Sequence, residues 1–196
     1  MLIIDLGCGW LKFPSVVDWY PNNRVPDGFD FPDAEILGVD VCNYNNDVVA
    51  SALQTPFRDG VADVVVMRQI IEHVYSEGLV REAWRILKPN GKILLETPNA
   101  LYIFKILRAL RRQIANPHPE HIQTFTAAEL KNLLLRNGFR CLQFSYYNVD
   151  VTSRNTFWSC IKKIIAFLVD KTFPMLDRDI RVTARKECTA KFAQYR

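Results

Sequence analysis

A chain of 196 residues with 49% hydrophobic content can bury one sizeable core and is too apolar to stay disordered. Its formal charge of +4 comes from acids and bases mixed along the chain, so composition gives no case for nucleic-acid binding. The five cysteines, Cys8, Cys42, Cys141, Cys160 and Cys188, are scattered without a Cys-x-x-Cys pair. That argues against a disulfide framework or a zinc site, so no metal is expected and the predicted setting is cytoplasmic. The opening Met1-Leu2-Ile3-Ile4 reaches Gly7 too soon for a signal-peptide core, and no apolar run approaches the roughly 20 residues of a bilayer span.

Short apolar runs at Leu2 to Leu6, Ile36 to Val41, Val64 to Met67 and Ile93 to Glu96 alternate with longer stretches of helical period. That rhythm predicts a parallel α/β sheet. The segment from Phe13 to Pro32 carries Pro14, Pro21, Pro26 and Pro32, each without a backbone donor, and predicts at most a short helix near Ser15 to Trp19. A further strand is expected near Val48 to Leu53. Leu79, Ala83, Ile86 and Leu87 share one helix face, and Lys88-Pro89-Asn90-Gly91 predicts a turn before a strand starting at Lys92. Thr126-Ala127-Ala128-Glu129 has capping-box spacing ahead of Leu130, Leu133 and Leu134, and Asn137-Gly138 suits a left-handed C-terminal cap. Phe139 to Tyr147 and Ile180 to Ala184 complete a seven-stranded sheet. No repeat or linker marks a boundary, so residues 1–196 are read as one domain.

Two strand ends carry the first chemistry. Asp5-Leu6-Gly7-Cys8-Gly9 follows an apolar strand, where glycines allow a tight turn and close approach of backbone to a ligand. The motif alone is weak, because ordinary turns also use glycine. Asp40 then closes the second strand, where an acid can accept hydrogen bonds from ribose hydroxyls. Lys12 stands where a dinucleotide fingerprint would have its third glycine, which weighs against hydride transfer.

In order along the chain, Ile4-Asp5-Leu6-Gly7-Cys8-Gly9, Gly38-Val39-Asp40, Thr55 to Val65, Ile71-Glu72-His73-Val74, and Arg85 to Leu95 with Thr97-Pro98-Asn99 resemble the motifs of the class I S-adenosylmethionine-dependent methyltransferases. His118-Pro119-Glu120-His121-Ile122 with Phe125-Thr126 is similar to a small-molecule, quinone and polysaccharide-pathway branch. The resemblance implies a Rossmann-like, mostly parallel sheet flanked by helices, with the last strand antiparallel, and S-adenosyl-L-methionine as cofactor. Gly7, Cys8 and Gly9 would line it, with Asp5 supporting their loop and Asp40 on the ribose. Ser51, Ala52 and Leu53 would flank the adenine, and Arg68 and Gln69 would face the methionyl end. Ser51 replaces an acid that often meets the adenine amino group, and Leu11 and Lys12 replace a further glycine.

The sulfonium methyl is already electrophilic, so a general base is optional and would serve an alcohol or phenol. Histidine suits that task near neutral pH. His121 is the first candidate, although a loop-fixing hydrogen bond would explain it equally well, ahead of His118 and of His73, for which capping or packing the helix is slightly favoured over catalysis. The run Arg68-Gln69-Ile70-Ile71 lacks the Asn/Asp-Pro-Pro-aromatic loop of amino methyltransferases acting on nucleobases or glutamine, which disfavours those substrates. The expected activity is methyl transfer to oxygen or carbon of a small or lipid-linked molecule. A cofactor-binding partner without turnover and an RNA methyltransferase using Arg108, Arg111 and Arg112 are the alternatives, the latter without any appended RNA-binding module.

Insertions at 101–122 and 152–176 are expected to form the substrate lid. In the first, Ile103, Leu107, Leu110 and Ile114 make an apolar stripe with Lys105, Arg108 and Arg112 away from it; in the second, Phe157, Ile161, Ile164, Ile165 and Leu168 do the same. Packing on the domain or on a second subunit of a homodimer is the plainer use of such stripes. Peripheral contact with a membrane surface is the sharper one.

Overall fold

The computed structural model describes residues 1–9, 33–44, 46–111, 119–147 and 171–187. The helix expected near Ser15 to Trp19, His118 and most of the second insertion lie outside the described residues. Among the described residues there are seven strands: β1 (Leu2–Leu6), β2 (Glu35–Asp40), β3 (Val48–Val49), β4 (Ala62–Arg68), β5 (Leu87–Pro98), β6 (Phe139–Tyr147) and β7 (Asp179–Lys186). They form one sheet in the order β3-β2-β1-β4-β5-β7-β6. The pairs β1–β2, β1–β4, β2–β3 and β4–β5 are parallel, while β7 runs antiparallel to both β5 and β6. This is the mostly parallel, Rossmann-like arrangement expected, with the last strand reversed.

The central strands are apolar on both faces, as a sheet covered on both sides requires. Ile3, Ile4, Leu6, Val65, Val66, Met67, Ile93, Leu94 and Leu95 are each fully buried. Burying each such side chain stabilises the fold by about 1.5–3 kcal/mol relative to exposure. Helix α1 (Ser76–Ile86) covers one face through Leu79, Val80, Ala83 and Ile86. Helix α2 (Ile103–Leu110) follows β5, and α3 (Ala127–Arg136) buries Leu130, Leu133 and Leu134. The capping box at Thr126 and Glu129 is formed, and Gly138 follows α3 at φ +83°.

Several boundaries differ from the sequence reading. The expected third strand ends at Val49, because Ser51 Oγ accepts the Leu53 N–H at 3.2 Å and Ser51 O accepts the Gln54 N–H, turning the chain. Leu87 leaves the helix face and pairs with Ala62 instead, while Lys92 pairs with Val64. The Lys88 to Gly91 turn is thus a bulge within β5, with Asn90 at φ +63°. Ile71 to Val74 form a turn rather than the start of α1, which begins at Ser76.

A buried polar network ties the entrance of β4 to α1. Glu82 Oε1 accepts the Thr55 N–H at 2.7 Å and its hydroxyl at 2.6 Å, and Arg85 donates to Glu82, to Phe57 O and to Asp59. These bonds and the facing Arg85 guanidinium hold the Glu82 carboxyl below its usual range despite its burial. The Thr55 to Val65 motif therefore owes its residues to the fold, at the end of the sheet away from the site.

Candidate functional site

The carboxyl end of β1 meets that of β2 through the glycine loop. Gly7 and Cys8 both donate their N–H to Val39 O, at 2.8 and 3.2 Å, and Gly9 N–H donates to Asp40 Oδ2 at 3.0 Å. The other Asp40 oxygen accepts the Cys42 N–H at 3.0 Å. Gly7 sits at φ +71°, and a Cβ there would come within 2.3 Å of Ile70 Cδ1, so a larger residue would have to displace the Ile70 side chain and hold a left-handed φ. At Gly9 nothing among the described residues lies within 4 Å of a notional Cβ, which leaves room for a ligand against the loop backbone.

Below the loop, Asp5 is fully buried and pairs with Arg68, its Oδ2 lying 2.9 Å from Nη2. Arg68 is thus spent on supporting the loop from the last residue of β4. Gln69, next in the chain, holds φ +51°, an unfavourable conformation for a residue with a side chain. Two bonds keep it there: its N–H donates to Glu96 O at 2.8 Å and its Nε2 to Asp179 Oδ1 at 3.3 Å. Ala52 is buried and Leu53 is 36% exposed at the rim beyond β3. Ser51 is exposed and its hydroxyl accepts within its own turn.

On the other side of Gln69 lies a cluster of ionisable side chains. Glu72 is 1% exposed, and burial pushes its carboxyl up to about 7, although the Thr97 hydroxyl donates to Oε2 at 3.0 Å. The second oxygen, Oε1, is buried and accepts no hydrogen bond among the described residues. His73 and His121 stand beside it, their rings edge to face with centroids 4.6 Å apart. One ligand atom from each of Glu72, His73 and His121 lies within 4.8 Å of the others.

The loop after α2 is docked here by backbone bonds. Ile122 and Gln123 donate their N–H groups to Glu72 O at 2.9 and 3.3 Å, and Ser76 Oγ donates to the Gln123 side chain at 2.9 Å. His121 is carried to the site by its own neighbour.

Asp179 and Lys105 complete the surroundings. Asp179 opens β7 and, because β7 runs antiparallel, lies opposite Pro98 at the carboxyl end of β5. Burial raises its carboxyl to about 6, with Glu96 adding to the rise and Arg178, Gln69 and Lys105 opposing it. Lys105 was expected away from the apolar stripe of α2; instead it is half-buried, donating to Asn99 O at 2.9 Å, and burial lowers its affinity for a proton. Asn99 itself is buried and donates to Met175 O and Asp177 O, locking the end of β5 to the approach of β7. Sequence reasoning assigned no role to Glu72, Asp179 or Lys105; only Glu72, inside the Ile71 to Val74 motif, had a local signal.

A doubly wound α/β domain with a glycine loop at β1, an acid at the end of β2 and ionisable groups beyond β4 is a nucleotide-type binding fold with chemistry beside it. A family model described as a methyltransferase domain matches residues 1–144. The chain is 30% identical over 145 residues to a probable S-adenosylmethionine-dependent methyltransferase of Mycolicibacterium smegmatis, covering 70% of this chain and 51% of that protein. It therefore spans about half the length of that relative. The solved structure of an S-adenosylmethionine-dependent methyltransferase from Archaeoglobus fulgidus superposes with a TM-score of 0.60 at 19% identity, covering 94% of this chain and 86% of the other. A phosphoethanolamine N-methyltransferase of Haemonchus contortus, solved with S-adenosyl-L-methionine, superposes with a TM-score of 0.54 at 15% identity over 95% of this chain and 49% of the other. The chain belongs to the methyltransferase-domain family, and the relatives named above depend on S-adenosylmethionine. The residues present suit it: an open loop backbone at Gly9, a carboxylate at Asp40 and an apolar rim at Leu53.

Proposed function

We propose that this chain transfers a methyl group to oxygen or carbon of a small or lipid-linked molecule. The observation that carries this reading is the Glu72, His73 and His121 cluster, proton-accepting groups gathered beyond the glycine loop where an acceptor would approach. Bound there, S-adenosyl-L-methionine supplies a methyl group on a positively charged sulfur. Gly7, Cys8 and Gly9 receive it along their backbone, Asp40 accepts from its ribose hydroxyls, and Ala52 and Leu53 flank its base. Asp5 and Arg68 keep the loop in place, and Gln69 sets the turn between cofactor and acceptor.

An amine attacks with its own lone pair, whereas a hydroxyl or an acidic C–H must shed a proton. His121 accepts that proton and His73 orients it. His73 Nδ1 lies 3.2 Å from Glu120 O, and since a carbonyl only accepts, Nδ1 carries the hydrogen and Nε2 the lone pair. The lipid-linked option draws on α2, whose Leu110 is 75% exposed beside exposed Arg108 and Arg111. No described helix is long and apolar enough to cross a membrane.

Label transfer from methyl-labelled cofactor to phenol, alcohol, lipid-linked and amine acceptors tests the proposal. Transfer to an oxygen or carbon acceptor that falls about 100-fold in His121→Gln is expected. Transfer to amines alone, or an unaffected His121→Gln, would refute it. Cofactor binding with no transfer to any acceptor favours a partner without turnover.

A further inference from the structure

We propose that Glu72, His73 and His121 form a divalent-cation site that takes a zinc-class ion and presents its open positions to an oxygen of the acceptor. The cation half stands on the geometry alone; the acceptor half rests on methyl transfer to oxygen as given under Proposed function, with the ion, which would take the His121 lone pair, replacing His121 in easing loss of the acceptor's proton.

Three ligands from two imidazoles and one carboxylate are the donor set of three-ligand catalytic zinc sites, which keep a position open for water or substrate. Ligand atoms about 2.0–2.2 Å from a shared ion lie roughly 3–4 Å from one another. The observed triangle, within 4.8 Å on every side, needs to contract by at most about 1–2 Å, a movement within the reach of side-chain rotation. Two imidazoles argue for zinc, or cobalt in its place, over magnesium, calcium or manganese, which prefer oxygen shells.

The surroundings match what ligands require. A metal-binding histidine usually donates its other ring N–H to a carbonyl or carboxylate, and His73 Nδ1 meets Glu120 O at 3.2 Å. Ligating carboxylates are themselves hydrogen-bonded, and the Thr97 hydroxyl donates to Glu72 Oε2 at 3.0 Å. Glu72 Oε1 is then left buried without a hydrogen bond among the described residues, an arrangement that costs free energy unless something occupies it. The three residues come from the turn after β4 and the loop after α2, joined by the Ile122 and Gln123 bonds to Glu72 O, so the backbone that carries the ligands is held together and only their side chains need to turn.

The test titrates the full chain with zinc by calorimetry and with cobalt by visible absorption, in wild type, His73→Gln and His121→Gln, with S-adenosylhomocysteine titrated in parallel. One ion per chain is expected, its affinity falling more than about 100-fold in each variant, beyond the loss of an outer-shell partner. No binding of either metal by wild type, wild-type affinity in either variant, or a thiolate charge-transfer band from any of the five cysteines would overturn the site. Should a variant misfold by circular dichroism, the wild-type cobalt spectrum still decides between imidazole and thiolate ligands. Metal binding without cofactor binding would sink the methyltransferase reading and leave the cation site. Cofactor binding without metal binding would do the reverse.

Discussion

Glu82 and Glu72 are both buried, yet they lie at opposite ends of β4 and in opposite states. Glu82 receives the Thr55 N–H, the Thr55 hydroxyl and the Arg85 guanidinium, and its carboxyl stays below the ordinary range. Glu72 receives one hydroxyl, keeps an oxygen without a hydrogen bond among the described residues, and rises to about 7. Burial is common to both; compensation is not. A satisfied buried carboxylate holds the fold together, and an under-satisfied one beside two histidines at the sheet's carboxyl end is where we propose that the chemistry is done.

Exchanging the two roles gives the largest effects. Glu82→Ala leaves Arg85 and Thr55 without their acceptor and should cost about 3 kcal/mol by urea denaturation, at the low end for a broken buried pair because Arg85 is partly solvated. Glu72→Gln should leave the chain at least as stable as wild type at pH 7, since it removes a poorly compensated charge, yet cut methyl transfer at least about tenfold. Similar losses of stability in both variants would erase the distinction.

Next in size is Gly7→Ala, which must place a methyl group against Ile70 at a left-handed φ. A penalty of about 1–2 kcal/mol on the native loop predicts roughly tenfold weaker cofactor binding by calorimetry. An affinity unchanged from wild type would mean the loop is not the cofactor's seat.

Asp179 extends the comparison to pH. Its carboxyl is raised from 3.8 to about 6 in the folded chain, so the unfolded chain loses this proton first. The cost is absent below about pH 4, grows as pH rises through 6 and is complete above it. Asp179→Asn should therefore be more stable than wild type at pH 7 by on the order of 2 kcal/mol, with no difference at pH 4. A gap that widens toward low pH would contradict the burial.

The smallest effect concerns α2. Replacing Arg108 and Arg111 with Gln should weaken co-sedimentation with anionic vesicles at low salt by about fivefold per charge. Identical sedimentation of the variant, or none by wild type, removes the membrane contact.

The glycine loop and Asp40 were legible because strand, turn and acid are neighbours in sequence, and period and turn chemistry are local signals. The reversed β7 was expected from the resemblance and is present. The acceptor side was half visible: His73 and His121 stood out as residue types, but their convergence on Glu72 depends on the 119–123 loop bonding back to Glu72 O. Asp179 reaches the site only through antiparallel pairing with β5, a register no local pattern encodes. Lys105 misled because a helical wheel places it opposite the apolar stripe, whereas Asn99 O draws its ammonium inward.

Calorimetric titration with S-adenosyl-L-methionine, S-adenosylhomocysteine and NAD, in wild type and Asp40→Ala, tests most directly the claim that the β1–β2 loop holds this cofactor. Binding of the first two but not NAD, lost on removing the Asp40 carboxylate, is the expected result. No binding of either methyl-cycle ligand, or binding indifferent to Asp40→Ala, would contradict it.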